Sequence, residues 1–133
     1  MGQESLVMDE IEAGADLIRA MNHFADVKVA FWLKEDEEDE RYLYLSSDHF
    51  DLANRPRAYE ELTRIMDRNP SIFVDPLRVS LIGGDDRWAT AAKQINDRFA
   101  DRLGTQLRSV MFGGQPIAGA YIYPSPLSPT FPR

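Results

Sequence analysis

The sequence predicts an α+β fold, with a mostly antiparallel or mixed sheet of about five strands and three helices packed mainly on one face. Segments whose apolar residues recur every three or four positions are interspersed among segments whose apolar residues alternate. Their order is α-β-β-α-β-α-β-β, without an internal repeat. The third helix and the strands on either side of it, Leu77–Leu81 and Gln106–Phe112, are long enough together for a parallel crossover.

The composition is that of one soluble domain. A chain of 133 residues supports a self-sufficient core, which we place in residues 1–123, followed by a Pro-rich tail at 124–133. Because the sequence has no cysteine, disulfides, thiolate zinc sites and cysteine nucleophiles are excluded. No apolar run is long enough to span a membrane and no signal-peptide pattern is visible, so we expect a cytoplasmic protein that does not bind membranes.

Three segments have helical periodicity. Met8 to Phe24 places its apolar residues on one stripe, and Pro56 to Asn69 does the same after a proline suited to the first turn. Pro70 ends the second segment because proline disfavours helical geometry in the residue before it. Asp85 or Asp86 caps the third segment, which continues to about Leu103.

The first two strands form a predicted β-hairpin from Val27 to Leu45, whose tip is the acidic run Glu35 to Glu40. Both strands are rich in β-branched and aromatic residues. The other predicted strands are Leu77–Leu81, Gln106–Phe112 and Ala120–Tyr123, of which the last two are joined by a tight turn at Gly113–Gly114.

The alternation in this hairpin predicts the site. It groups Val29, Phe31 and Leu33 with Leu43 and Leu45 on a core face, so Trp32, Tyr42 and Tyr44 share the opposite face. A helix or the Pro-rich tail could simply cover this face, but exposed Trp and Tyr clusters are enriched at interfaces. The sequence therefore predicts a protein-interaction module that binds a protein partner, or a second copy as a homodimer, through Trp32, Tyr42 and Tyr44. Neither catalysis nor a cofactor is expected.

Most of the net negative charge of the chain lies in one short segment. The net charge is −7, but without the six acids of Glu35 to Glu40 the chain holds 16 acids against 15 Lys and Arg. A near-neutral body argues against nucleic-acid binding, which depends on a basic stripe. The acidic run either keeps the protein soluble or lets it act as an acidic inhibitor of a basic partner.

One alternative is enzymatic. Asp48, His49 and Asp51 lie in one loop and, together with Asp85 or Asp86, could form the centre of a metal-assisted hydrolase or nuclease. The same residue types also occur in ordinary loops, where they satisfy backbone donors. No motif for a nucleophilic serine or a phosphate-binding loop accompanies them. We therefore expect no metal site and favour a protein without catalysis.

Overall fold

A computed structural model of the chain describes residues 8–36, 40–98 and 104–124. The described elements confirm the predicted α+β class and the predicted order of helices and strands. They are α1 Met8–Asn22, β1 Val29–Glu35, β2 Tyr42–Ser46, α2 Arg55–Arg68, a 3-10 turn Pro76–Arg78, β3 Val79–Ile82, α3 Arg87–Arg98, β4 Thr105–Phe112 and β5 Gln115–Ile122.

The five strands form one mixed sheet in the order β3-β2-β1-β5-β4. Among the strands that the structure describes, only β2 and β3 pair in parallel, and α2 provides the crossover between them. A crossover from the third strand through the third helix to the fourth strand was predicted, and this detail is wrong. Strands β3 and β4 lie at opposite edges of the sheet, because β5 follows β4 through a tight turn and pairs with β1.

The helices cover both faces of the sheet. Helices α1 and α2 pack on the first face, where Leu17, Met21 and Leu62 form a core with Leu43 and Leu45. Of the described helices, only α3 packs on the second face, where it makes a smaller core. This second core contains Val29, Phe31, Leu33, Trp88, Ala89, Ala92, Phe112, Ile117, Ala120 and Ile122.

The predicted faces of the hairpin are wrong by one residue of register. Trp32 lies opposite Leu43, and Phe31 lies opposite Tyr44. Residues directly opposite each other in an antiparallel pair share a face, so Trp32 lies on the first face while Tyr42 and Tyr44 lie on the second. The alternation was ambiguous because both faces of these strands are buried under helices, so both sets of side chains are apolar or aromatic.

Parts of three predicted features lie outside the described residues. These parts are 37–39 in the acidic run, 99–103 at the predicted end of the third helix, and 125–133 in the predicted tail. The division into a body and a tail stays a prediction. None of the helices that the structure describes is both long and apolar enough to cross a membrane.

Candidate protein-interaction surface

The loop between α2 and β3 is held in place by buried and hydrogen-bonded residues. Helix α2 ends at Arg68, two residues before Pro70. Val74 is only 3% exposed and anchors the loop in the first-face core. The N–H of Phe73 donates to Ser71 Oγ (3.0 Å), and the N–H of Leu77 donates to Asp75 Oδ1 (2.9 Å). Side-chain bonds of this kind stabilise turns.

This anchored loop presents three large apolar side chains to water. Ile72 is 93% exposed, Leu77 86% and Phe73 39%; these three residues are called the 72–77 patch. Single exposed apolar residues are common, but a group of them on one short segment is typical of an interaction site. Because the loop is held by Val74 and by its own hydrogen bonds, the patch is presented without a large ordering cost on binding.

A partly apolar groove of about 500 Å³ lies beside the loop that carries the 72–77 patch. It runs between α1, the C-terminal half of α2 and the inner side of the loop. Its apolar lining consists of Ala13, Leu17, Ala20, Ile65, Met66, Pro70 and Val74, and its polar lining of Asp16, Asn69 and Ser71. The groove is open because α1 contributes only small side chains at Ala13 and Ala20, which lie two turns apart on one side of the helix.

The charges of this region are paired. Asp16 lines the groove, and its carboxylate lies 3.1 Å from the guanidinium of Arg19. Asp75 lies between Phe73 and Leu77, and its carboxylate is 3.9 Å from the guanidinium of Arg78. Neither pair is buried, so each adds little to stability. The first pair leaves the groove close to neutral in a chain whose net charge is −7, whereas Arg78 is shared between Asp75 and Glu40.

A second groove, of about 750 Å³, lies between the C-terminal end of α1 and α2. Its lining includes the arginines Arg57, Arg64 and Arg68, but also Glu60 and Glu61. Arg64 and Glu61 form a close ion pair. A groove that mixes both signs of charge on flexible exposed side chains is the weaker candidate for a binding site.

Trp32, predicted to bind a partner, is buried in the first-face core. It is 4% exposed, and its indole N–H donates to the hydroxyl of Tyr123 at 3.0 Å. That hydroxyl in turn donates to the carbonyl of Ile11 in α1 at 2.7 Å. Burial raises the pKa of Tyr123 above its ordinary value, and the hydrogen bond from Trp32 offsets only part of this rise. Trp32 therefore joins the sheet to α1.

Tyr42 and Tyr44 lie half-buried on the second face. The ring of Tyr44 stacks on Phe31 with centroids 5.2 Å apart. The guanidinium of Arg78 lies over the ring of Tyr42, 5.6 Å from its centroid. The three predicted residues consequently do not form one surface. A role for Tyr42 and Tyr44 in partner binding stays a prediction.

The three residues of the alternative catalytic centre have structural contacts instead. The carboxylate of Asp48 pairs with Lys28 at 3.4 Å and lies against Gly84. The backbone N–H of His49 donates to Ser47 Oγ at 3.1 Å, and Asp51 accepts from the N–H of Asn54 at 2.9 Å. Within the described residues no group of three or more His, Asp or Glu side chains could hold a metal ion. A catalytic role for these residues stays a prediction that no arrangement here supports.

The two ends of the acidic run contact the body of the protein. The carboxylate of Glu35 accepts from Gln115 at 3.2 Å, and Glu40 lies 3.6 Å from the guanidinium of Arg78. A role as an acidic inhibitor stays a prediction.

The 72–77 patch was not predicted from the sequence. Leu77 was predicted to lie in the third strand, but that strand begins at Val79 and Leu77 lies in the 3-10 turn before it. The signal that could have revealed it is the presence of Ile72, Phe73 and Leu77 around two prolines, in a segment with neither helical nor strand periodicity. Comparisons of the chain with protein-family models, curated proteins and solved structures found no match.

Proposed function

We propose that this chain is a protein-interaction module, without chemistry of its own, that docks through the 72–77 patch into an apolar groove on a partner protein. The observation that carries the proposal is the exposure of Ile72 and Leu77 on an anchored loop. The absence of cysteine from the sequence supports a cytoplasmic setting.

The energetics favour docking of this patch. Full burial of an Ile or Leu side chain contributes about 1.5–3 kcal/mol, part of which is offset by the cost of immobilising two molecules. Two or three such side chains at the centre of an interface, with polar residues around them, are enough for a specific contact of modest affinity. Asp75 and Arg78 supply the polar surroundings.

The test is a comparison of matched variants. The Ile72→Ser, Leu77→Ser double variant removes the patch, whereas Leu52→Ser removes an equally exposed leucine, also 86% exposed, from a different loop. Proteins that bind the immobilised wild-type chain are identified by mass spectrometry, purified, and titrated against all three forms by calorimetry. We expect the wild type and Leu52→Ser to bind alike and the double variant to bind at least about tenfold more weakly.

Self-association of the purified chain is measured with the same three forms. The proposal is wrong if no association, either with another protein or with a second copy, weakens in the patch variant. All three forms should have the same free energy of unfolding, because the substituted side chains lie in water and outside both cores.

A further inference from the structure

We propose that the partner is a second copy of this chain, in a two-fold dimer where each 72–77 patch enters the partner's groove between α1, α2 and the loop. This inference rests on the proposed function and specifies the partner protein. It follows from the position of the groove, since Ser71 and Val74 line the groove while Ile72 and Phe73 project from the same four residues. The chain thus carries an apolar projection and a partly apolar recess side by side.

Such an arrangement is self-complementary under two-fold symmetry. In an isologous interface the two copies use the same surface, so if group i of one copy contacts group j of its partner, group j of the first copy contacts group i of the partner. An axis passing between Ile72 and the groove therefore places each patch opposite the partner's groove. Each docking contact is made twice in the dimer, which doubles the apolar area buried by a single contact.

The charge distribution favours this surface over others for self-association. Two copies with a net charge of −7 repel each other, so a shared interface must lie where that charge is absent. Asp16 in the groove is paired with Arg19, and Asp75 in the loop shares Arg78 with Glu40. Docking consequently brings together carboxylates that each have an arginine neighbour in the same chain.

The size of the surface sets the expected affinity. Ten described residues line the groove and three form the patch, compared with roughly 20–30 residues on each side of a standard interface. The dimer therefore belongs to the weak end of the range, with a dissociation constant of about 1–100 µM. It is expected to form reversibly as the protein concentration rises.

The first experiment is sedimentation equilibrium of the full chain across this concentration range. We expect the wild type and Leu52→Ser to show the same reversible monomer–dimer equilibrium. The Ile72→Ser, Leu77→Ser variant should dimerise at least about tenfold more weakly, because its projection no longer fills the groove.

A second variant tests the groove. Ala13→Gln with Ala20→Gln fills the recess with longer side chains that remain good helix formers, so α1 is retained. We expect this variant to be monomeric over the same range, with an unchanged helical circular-dichroism signal. A mixture of the patch variant and the groove variant should form heterodimers, since one intact patch and one intact groove remain in the pair. These heterodimers should be weaker than the wild-type dimer.

The inference is overturned if the wild type is monomeric throughout, or if either the patch or the groove variant dimerises as well as the wild type. It is also overturned if the mixture does not associate. The proposed function fails separately: a monomeric wild type that binds another purified protein through Ile72 and Leu77 contradicts the dimer but supports the interaction module.

Discussion

At the scale of single residues, one hydroxyl joins three parts of the molecule. Tyr123 Oη accepts from Trp32 in β1 and donates to Ile11 in α1, and Tyr123 itself is 2% exposed. Gly14 explains how α1 comes so close: a Cβ at this position would overlap the Tyr123 hydroxyl and lie 3.1 Å from Trp32 Nε1. Gly14 is thus needed for the contact of α1 with the sheet, although glycine is a poor helix former.

We predict that Tyr123→Phe lowers the free energy of unfolding by about 1–3 kcal/mol, because it leaves the buried Trp32 N–H and the Ile11 carbonyl without this partner. The matched control is Tyr121→Phe, whose half-exposed ring packs edge-on against Tyr123. It should cost less than about 0.5 kcal/mol. Urea denaturation measures both. Equal losses in the two variants would show that the hydrogen bonds of Tyr123 contribute little.

The same residue predicts how stability depends on alkaline pH. Burial raises the pKa of Tyr123 in the folded protein above the ordinary 10.0, which applies when the chain is unfolded. Above about pH 10 the unfolded chain therefore loses a proton that the folded chain keeps, and unfolding becomes more favourable. Stability due to this group is complete below pH 10 and decreases above it. Urea titrations between about pH 8 and pH 11 should show a smaller decrease for Tyr123→Phe than for the wild type; identical slopes would contradict this prediction.

At the scale of elements, the loop between α2 and β3 depends on Asp75. Its carboxylate accepts the N–H of Leu77, which begins the 3-10 turn Pro76–Arg78 and holds the backbone at Leu77 of the 72–77 patch. We predict that Asp75→Ala lowers the free energy of unfolding by about 0.5–2 kcal/mol, the usual range for loss of a capping residue. Asp75→Asn keeps an oxygen acceptor and should remain close to the wild type in urea denaturation. Equal losses in both variants would instead assign the effect to the ion pair with Arg78.

The helices and strands also show which parts of the fold can be predicted from the sequence. Helical and strand periodicities are local properties, so the positions of α1, α2 and β1 followed from single segments. Strand order and register depend on which faces become buried, and Phe31 and Trp32 are both apolar neighbours in a strand covered on each side. Because the strand register was ambiguous by one residue, Trp32 was predicted to share a face with Tyr44, where the structure has Phe31. The 72–77 patch could not be predicted from strand pairing, because Ile72 lies in neither a helix nor a strand.

At the scale of the whole molecule, net charge controls association. Two copies of charge −7 repel over distances comparable to the Debye length, whereas the proposed contact is apolar. We predict that raising NaCl from about 0.05 to about 0.5 M strengthens the wild-type dimer, because salt screens the repulsion. Sedimentation equilibrium measures the change. A dimer that weakens in salt would indicate an interface held by ion pairs in place of the 72–77 patch.

The two-sided core has a practical consequence for following how this protein unfolds. The chain has two tryptophans, and each reports on a different layer: Trp32 lies under α1 and α2, and Trp88 lies in α3. A variant that retains only one of them gives a fluorescence signal from one side of the sheet. Because β1 is shared by both layers, loss of either layer exposes one side of the same strand. Coincident transitions from the two single-tryptophan variants would show that the sheet transmits stability between the layers on its two faces.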